Sequence, residues 1–252
     1  MNDYENFKAE CIKEITLQGQ DQYLAVAGQI WLNRANAKKY SYHFEWLGRP
    51  IIQYPQDMIA MQELIWSIQP DLIIETGIAH GGSLIFSASM LELNAACGGP
   101  ANAEVLGVDI DIRAHNREAI EAHPMSKRIS MFQGSSIALE IVEQVKAKAA
   151  GKQSVLVCLD SNHTHDHVLA ELCAYAPLVT LNSYCIVFDT LIDDMPASMF
   201  SDRPWGPGNN PKTAVREYLK SHPEFEIDKQ MDHKLLISVA PDGFLKRVRQ
   251  EQ

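Results

Sequence analysis

The stretch Asp71-Leu-Ile-Ile-Glu75-Thr-Gly77-Ile-Ala-His-Gly81-Gly82-Ser83 decides how the rest of the chain is read. An apolar run ends in an acid, the chain turns at Gly77, and a glycine pair leads into a helix-compatible segment over residues 83–93. That pattern is a strand, a tight turn and a helix start, with backbone N–H groups bare enough to approach a ligand. The spacing Gly77-x-x-x-Gly81-Gly82 differs from the GxGxxG that admits a pyrophosphate. A carboxylate just ahead of the turn repels phosphate and suits an amino-bearing or cationic ligand. S-adenosylmethionine carries both an amino group and a sulfonium.

Working outward, short apolar runs at 72–75, 105–109, 129–132, 155–160 and 185–189 alternate with helix-like segments at 83–93, 114–122, 137–149 and 166–174. Strands separated by helices of this length predict right-handed crossovers and a parallel sheet covered on both faces. Two further strands, 225–227 and 234–239, lie close enough to form an antiparallel hairpin at one sheet edge. The expectation is an α/β, doubly wound, mostly parallel seven-stranded sheet with an antiparallel last strand. Residues 1–55 read as an N-terminal helical extension, a cap or oligomer contact, ahead of a ligand-binding domain over 56–252. Helices are expected at 3–18, 21–37 and 55–67, with a loop at 46–55 broken by Gly48, Pro50 and Pro55. The irregular stretch 190–211, rich in Asp, Pro, Gly and Asn, has the length of a lid or binding loop.

The bulk properties exclude several classes. The chain has 252 residues, 46% apolar and 21% charged, as in a folded globular protein. With 22 basic and 32 acidic side chains the net charge is -10, which disfavours a nucleic-acid partner. Lys246, Arg247 and Arg249 form the nearest approach to a basic cluster and read as a solvated tail. Cys11, Cys97, Cys158, Cys173 and Cys185 are odd in number and lack CxxC spacing, so they read as reduced thiols. No signal-peptide pattern opens the chain, and no run reaches the ~18 apolar residues of a membrane span. A cytoplasmic protein with no membrane partner is expected.

Ligands of doubly wound sheets sit at the carboxyl ends of the central strands. Glu75, Gly77, Gly81, Gly82 and Ser83 would occupy the first such end, and Asp109 the second, where an acid can take both ribose hydroxyls. Ser136, in Gly134-Ser-Ser136, would lie beside an adenine edge or cap the next helix. Asp160 and Asp189 end adjacent strands and can point at one ion, a hard oxygen pair that suits Mg²⁺. His163 follows Asp160 closely enough to reach a substrate hydroxyl there, and imidazole is a suitable proton acceptor. His165 and His167 begin the next helix or add ligands. Asp160 thus counts as a catalytic, metal-holding and cofactor-facing residue, with His163, Trp205 and Asn209 facing the acceptor.

With these residues in place, the chain resembles class I S-adenosylmethionine-dependent methyltransferases, and more narrowly the cephalosporin hydroxylase family, which includes rhamnosyl O-methyltransferases. The likeness runs over about 46–247. It is carried by Trp46-Leu-Gly-x-Pro50, Gln53-x-Pro55-x-Asp57, the 70–83 stretch, Gly107-Val-Asp109-Ile-Asp111, Asp160-x-x-His163, Gly206-x-Gly208, Pro211 with Ala214-Val215, and Pro241-x-Gly243-x-Leu245. The resemblance implies that Glu75, Gly77 and Ser83 contact the methionine part of the cofactor, Asp109 the ribose and Ser136 the adenine. It also implies a metal at Asp160 and Asp189, a base at His163 in place of a lysine, and a homo-oligomer. Where the narrower family often shows two adjacent acids, this chain has Phe188 before Asp189, and Thr190 stands where the wider catechol-type O-methyltransferases have an asparagine. Asp193 and Asp194 are candidates to supply the lost anionic ligand. The function expected is O-methyl transfer to a small-molecule hydroxyl on a sugar or natural-product intermediate. Two alternatives stay open: a non-catalytic cofactor-binding subunit, and an Fe(II) hydroxylase built from Asp160 with His163, His165 or His167.

Overall fold

Asn2 starts the first helix, α1 (Asp3–Gln20), through a reciprocal capping box with Glu5, and Asp21 caps α2 (Gln22–Asn36). The computed structural model describes residues 2–249. After α2 a small antiparallel hairpin, β1 (Phe44–Trp46) and β2 (Arg49–Ile51), occupies the stretch expected to be loop. Pro50 is tolerated because a two-stranded ribbon leaves half of its backbone unpaired. Pro55 opens α3 (Pro55–Ile68) at a first-turn position where its missing N–H costs nothing.

The main sheet has β3 (Leu72–Thr76) near its centre, all five residues buried as a strand covered on both faces requires. The other strands are β4 (Glu104–Asp109), β5 (Ile129–Gln133), β6 (Val155–Leu159), β7 (Tyr184–Val187), β8 (Phe225–Ile227) and β9 (Phe244–Arg247). Their order is β5-β4-β3-β6-β7-β9-β8; β3 to β7 run parallel, and β9 is antiparallel to both β7 and β8. The connecting helices are α4 (Gly82–Ala96), α5 (Ala114–Glu121), α6 (Leu139–Ala149), α7 (His165–Tyr175), α8 (Pro211–Tyr218) and α9 (Lys229–Leu235). Side chains alternate between two apolar layers: Ile73 and Phe244 enter one, Leu72, Ile74 and Leu245 the other. The expected α/β sheet with an antiparallel last strand is present.

The last third differs in detail. Residues 234–239 are not a strand. The Asp228 side chain accepts from the backbone N–H groups of Gln230 and Met231 and nucleates α9, which packs on α1. The antiparallel strand starts later, after the turn at Asp242, and inserts between β7 and β8. Lys246 and Arg247 therefore belong to an interior strand, not a solvated tail: the Lys246 ammonium lies over the Tyr184 ring, and Arg247 donates to the carbonyls of Pro177 and Val179. The N-terminal extension shares the core, since Leu32, Ile51 and Tyr54 are buried in the same cluster as Ile73, and Tyr54 Oη donates to Asn36 Oδ1 at 2.7 Å. Among the described residues no helix is long and apolar enough to cross a membrane.

Candidate active site

The β3–α4 turn is shaped by how closely two backbones meet. Gly77 has φ +87°, and a Cβ there would lie 2.0 Å from the Asp160 carbonyl oxygen and 3.0 Å from Ser161 Cα. Only glycine satisfies both demands. Asp160 N–H donates to the Thr76 carbonyl at 2.9 Å, so the turn and the end of β6 are fastened together. Asp109, ending β4, braces the same turn: its Oδ2 accepts from Ile78 N at 2.7 Å and Ala79 N at 3.3 Å. Glu75 is buried, and Ser83 Oγ donates to its Oε1. Burial pushes the Glu75 carboxyl up to about 7, with the Ser83 hydrogen bond acting the other way.

Asp160, at the end of β6, and Asp189, just past β7, come together with His163. His163 Nε2 lies 3.0 Å from Asp189 Oδ2, and one ligand atom from each of the three lies within 4.8 Å of the others. Burial holds the Asp160 carboxyl well above the usual range, and the negative charges of Asp189, Glu75 and Glu171 add to it. Such a group of mutually repelling acids beside an imidazole suits a divalent cation. Among the described residues it is the one cluster of this kind. The Trp205 ring stands edge-on to His163 with centroids 4.9 Å apart, and the Arg203 guanidinium lies over it at 5.5 Å. Asp160, His163, Asp189, Gly77, Ser83 and Trp205 all line one cavity of about 420 Å³. That volume is within the range of small-molecule sites.

Other sequence-derived candidates lie around this centre. Gly82 lines the cavity; Gly81, Asp109, Ser136 and Asn209 do not. Ser136 Oγ pairs with His167 Nε2 at 3.1 Å, and His167 also meets Ser161 Oγ at 3.2 Å. Asn209 Oδ1 accepts from His165 N, and its Nδ2 donates to the Pro204 carbonyl, so it fastens the 190–211 loop to α7. His165 Nδ1 pairs with Thr213 Oγ1 at 2.8 Å. Of the three histidines only His163 joins the carboxylates, and a site of two histidines and one carboxylate is not assembled among the described residues. Asp193 is held by Gly208 N, Asn210 Nδ2 and Arg216 Nη1, and Asp194 accepts from buried Lys212. Both acids pin the loop.

Two residues escaped the sequence reading of the site. Lys212 ties Asp194 to Asp242, 3.8 Å away, across the base of the loop. Gln53, noted there only as part of a motif, is 7% exposed and donates from Nε2 to Asp160 Oδ2 at 3.4 Å.

The chain is 31% identical over 198 residues to the rhamnosyl O-methyltransferase of Mycobacterium tuberculosis, covering 76% of this chain and 73% of that one. It is 30% identical over 206 residues to that of Mycobacterium leprae, covering 80% and 82%. A solved structure of CmcI with Mg and SAM shares the fold, with a TM-score of 0.57 at 19% identity over 82% of this chain and 78% of that one. The family model described as rhamnosyl O-methyltransferase/CmcI matches residues 38–248. The chain therefore belongs to the rhamnosyl O-methyltransferase/CmcI family and is an S-adenosylmethionine-dependent O-methyltransferase.

Proposed function

We propose that this methyltransferase acts on a hydroxyl of a small molecule, a sugar or natural-product intermediate, with a divalent cation such as Mg²⁺ held by Asp160 and Asp189. The observation that carries this reading is the convergence of Asp160, His163 and Asp189 on the cavity that also meets the Gly77–Ser83 turn. The names of the mycobacterial relatives support a sugar acceptor, and the CmcI structure with Mg and SAM supports the donor and the ion. A divalent ion held by Asp160 and Asp189 would supply Lewis acidity, which lowers the pKa of an acceptor hydroxyl.

The chain's own residues do the rest. Glu75, Gly77, Gly81, Gly82 and Ser83 wrap the methionine part of the donor, Asp109 takes the ribose and Ser136 the adenine side. Holding acceptor oxygen, methyl carbon and sulfur in line supplies most of the entropic advantage. His163 takes the acceptor's proton on its imidazole, and the Asp189 carboxylate beside Nε2 stabilises the imidazolium. The methyl group moves from sulfur to oxygen and leaves a neutral thioether. Trp205 and the 190–211 loop close the acceptor side and limit water. The test is transfer of labelled methyl to a panel of free and glycosidic sugars, with Asp160→Ala and chelator as controls. Turnover unchanged by both controls would remove the metal from the reading.

Residues 1–55 serve in this proposal as a cap and as the contact for a second copy. Support comes from α1, which buries none of its residues, and from exposed Tyr4, Phe7, Ile12, Tyr23 and Val26 along the two helices. Five unpaired cysteines support a reducing, cytoplasmic setting. Analytical ultracentrifugation that returned only monomer across the micromolar range would refute the self-association.

A further inference from the structure

Arg203 is the only arginine or lysine among the described residues that line the open cavity. Its backbone N–H donates to the Phe200 carbonyl at 3.0 Å, and its guanidinium lies over the Trp205 ring, 5.5 Å from the centroid. Trp205 in turn stands against His163 at 4.9 Å, so one indole touches both the cation and the imidazole. A guanidinium resting on an aromatic face keeps its N–H fork free for a planar anion. Its ionic partner is Asp202, 4.0 Å away, and both side chains are more than half exposed, a pairing worth little in water. The charges around the cavity are sorted: Asp160 and Asp189 belong to the ion cluster, Arg203 to the Trp205 loop, and Met195, Met199 and Phe200 add apolar wall. A chain with 32 acidic and 22 basic side chains repels anions in general, and the two carboxylates of the cluster do so locally. A neutral acceptor gains little from a cation held at this wall; an anionic one needs it.

We propose that the methyl acceptor carries an anionic group, a carboxylate or a phosphate ester, and that Arg203 reads it while the hydroxyl to be methylated sits at Asp160, His163 and Asp189. The guanidinium fork donates two parallel N–H bonds to two oxygens of the anion, which sets its direction as well as its distance. Met195, Met199 and Phe200 cover the apolar faces of the acceptor between the two anchors. A sugar ring offers several hydroxyls of nearly equal chemistry, and a single anchor at the reacting end leaves the ring free to present any of them. The second anchor removes that freedom and presents the one hydroxyl whose span from the anion matches the cavity. The anion takes no part in the transfer, in which the methyl group passes from sulfur to oxygen as described above.

This inference rests on the small-molecule O-methyltransferase reading above and fails separately from it. Labelled-methyl transfer is measured on the full chain with Mg²⁺ and matched acceptors: glucose against glucuronate, galactose against galacturonate, and rhamnose against rhamnose 1-phosphate. The wild type is expected to favour an anionic member in kcat/KM by about ten-fold or more, the worth of one charge-assisted hydrogen bond. Preference for the uronates assigns a carboxylate, and preference for the 1-phosphate assigns a phosphate ester. Arg203→Met is expected to raise the KM of the favoured anion about ten-fold, to leave its neutral mate within two-fold, and to leave S-adenosylhomocysteine affinity by calorimetry unchanged. Arg203→Lys should recover part of the preference, and Arg203→Glu should reverse it. Neutral and anionic acceptors methylated alike, or an Arg203→Met variant weakened for S-adenosylhomocysteine, overturn the proposal and leave methyl transfer to sugars standing. Transfer to no acceptor in the panel removes the sugar reading itself, and this proposal with it.

Discussion

Replacing Gly77 with alanine tests the closest backbone approach in the site. The residue sits at φ +87°, where an L side chain costs about 1–2 kcal/mol. The new methyl group would also stand 2.0 Å from the Asp160 carbonyl oxygen and 2.6 Å from its carbon, neither of which can rotate away. Overpacking against rigid backbone adds about 1–3 kcal/mol. Loss of unfolded-state freedom returns about 0.4–1 kcal/mol, so the net expectation is about 1–5 kcal/mol of destabilisation. Gly48 is the internal control, because its φ is +82° and nothing lies within 4 Å of the added Cβ. Gly48→Ala carries the backbone strain and the entropy gain without the collision, for a net of about 1 kcal/mol. Urea unfolding of both variants, with Mn²⁺ affinity read by electron paramagnetic resonance, separates the two contributions. Gly77→Ala should lose more stability and should also lose ion affinity, since relief of the collision displaces Asp160. Equal losses in the two variants, with ion binding intact in both, would refute the argument.

Other perturbations follow from the same geometry. His163→Ala should lower turnover by about 10²–10⁴ while leaving Mn²⁺ affinity within a few-fold; loss of the ion as complete as in Asp160→Ala would make the imidazole a ligand instead of the base. The buried Glu75 carboxyl, raised from 4.5 to about 7, binds its proton more tightly in the folded than in the unfolded chain. Its contribution to apo stability is therefore full at low pH and declines as pH rises through 7, whereas affinity for a cationic ligand rises. S-adenosylhomocysteine binding should strengthen about ten-fold between pH 6 and pH 8 and stay flat in Glu75→Gln, as calorimetry can show. Lys212→Met removes the buried bridge between Asp194 and Asp242 and should cost about 1–3 kcal/mol in urea unfolding. It should raise the acceptor KM with little change in nucleoside affinity; the opposite split would mean that the 190–211 loop does not face the acceptor.

The parts of the molecule that could be read from the chain are those where local pattern and tertiary role coincide. Leu72–Thr76 is five buried residues in a row, and an apolar run that ends in an acid and a glycine turn has few other readings. Asp160 and Asp189 were visible because polar residues ending apolar runs mark strand termini. Where local pattern pointed the wrong way, a cap decided the outcome. The apolar residues of 235–239 resemble a strand, yet Asp228 commits the preceding segment to a helix. Lys246 and Arg247 resemble a tail because the buried part of their strand is only the pair Phe244-Leu245, one residue to each apolar layer. The contact of Gln53 with Asp160 was invisible for a different reason, since the two are 107 positions apart and an uncharged amide in a loop follows no periodicity.

The placement of β9 between β7 and β8 separates the order in which strands are made from the order in which they pair. When a ribosome has delivered β8, no neighbour exists for it, and the exposed flank of β7 stays open until about twenty further residues emerge. α9 and its cap at Asp228 fill that interval with a locally stabilised element, which delays no pairing and presents no competing edge. The edge of the sheet beyond β7 is thus expected to complete its pairing last, after β3, β4 and β5. A nascent chain stalled before Phe244 would be expected to hold the Gly77–Ser83 turn while the edge beyond Asp189 is still unpaired.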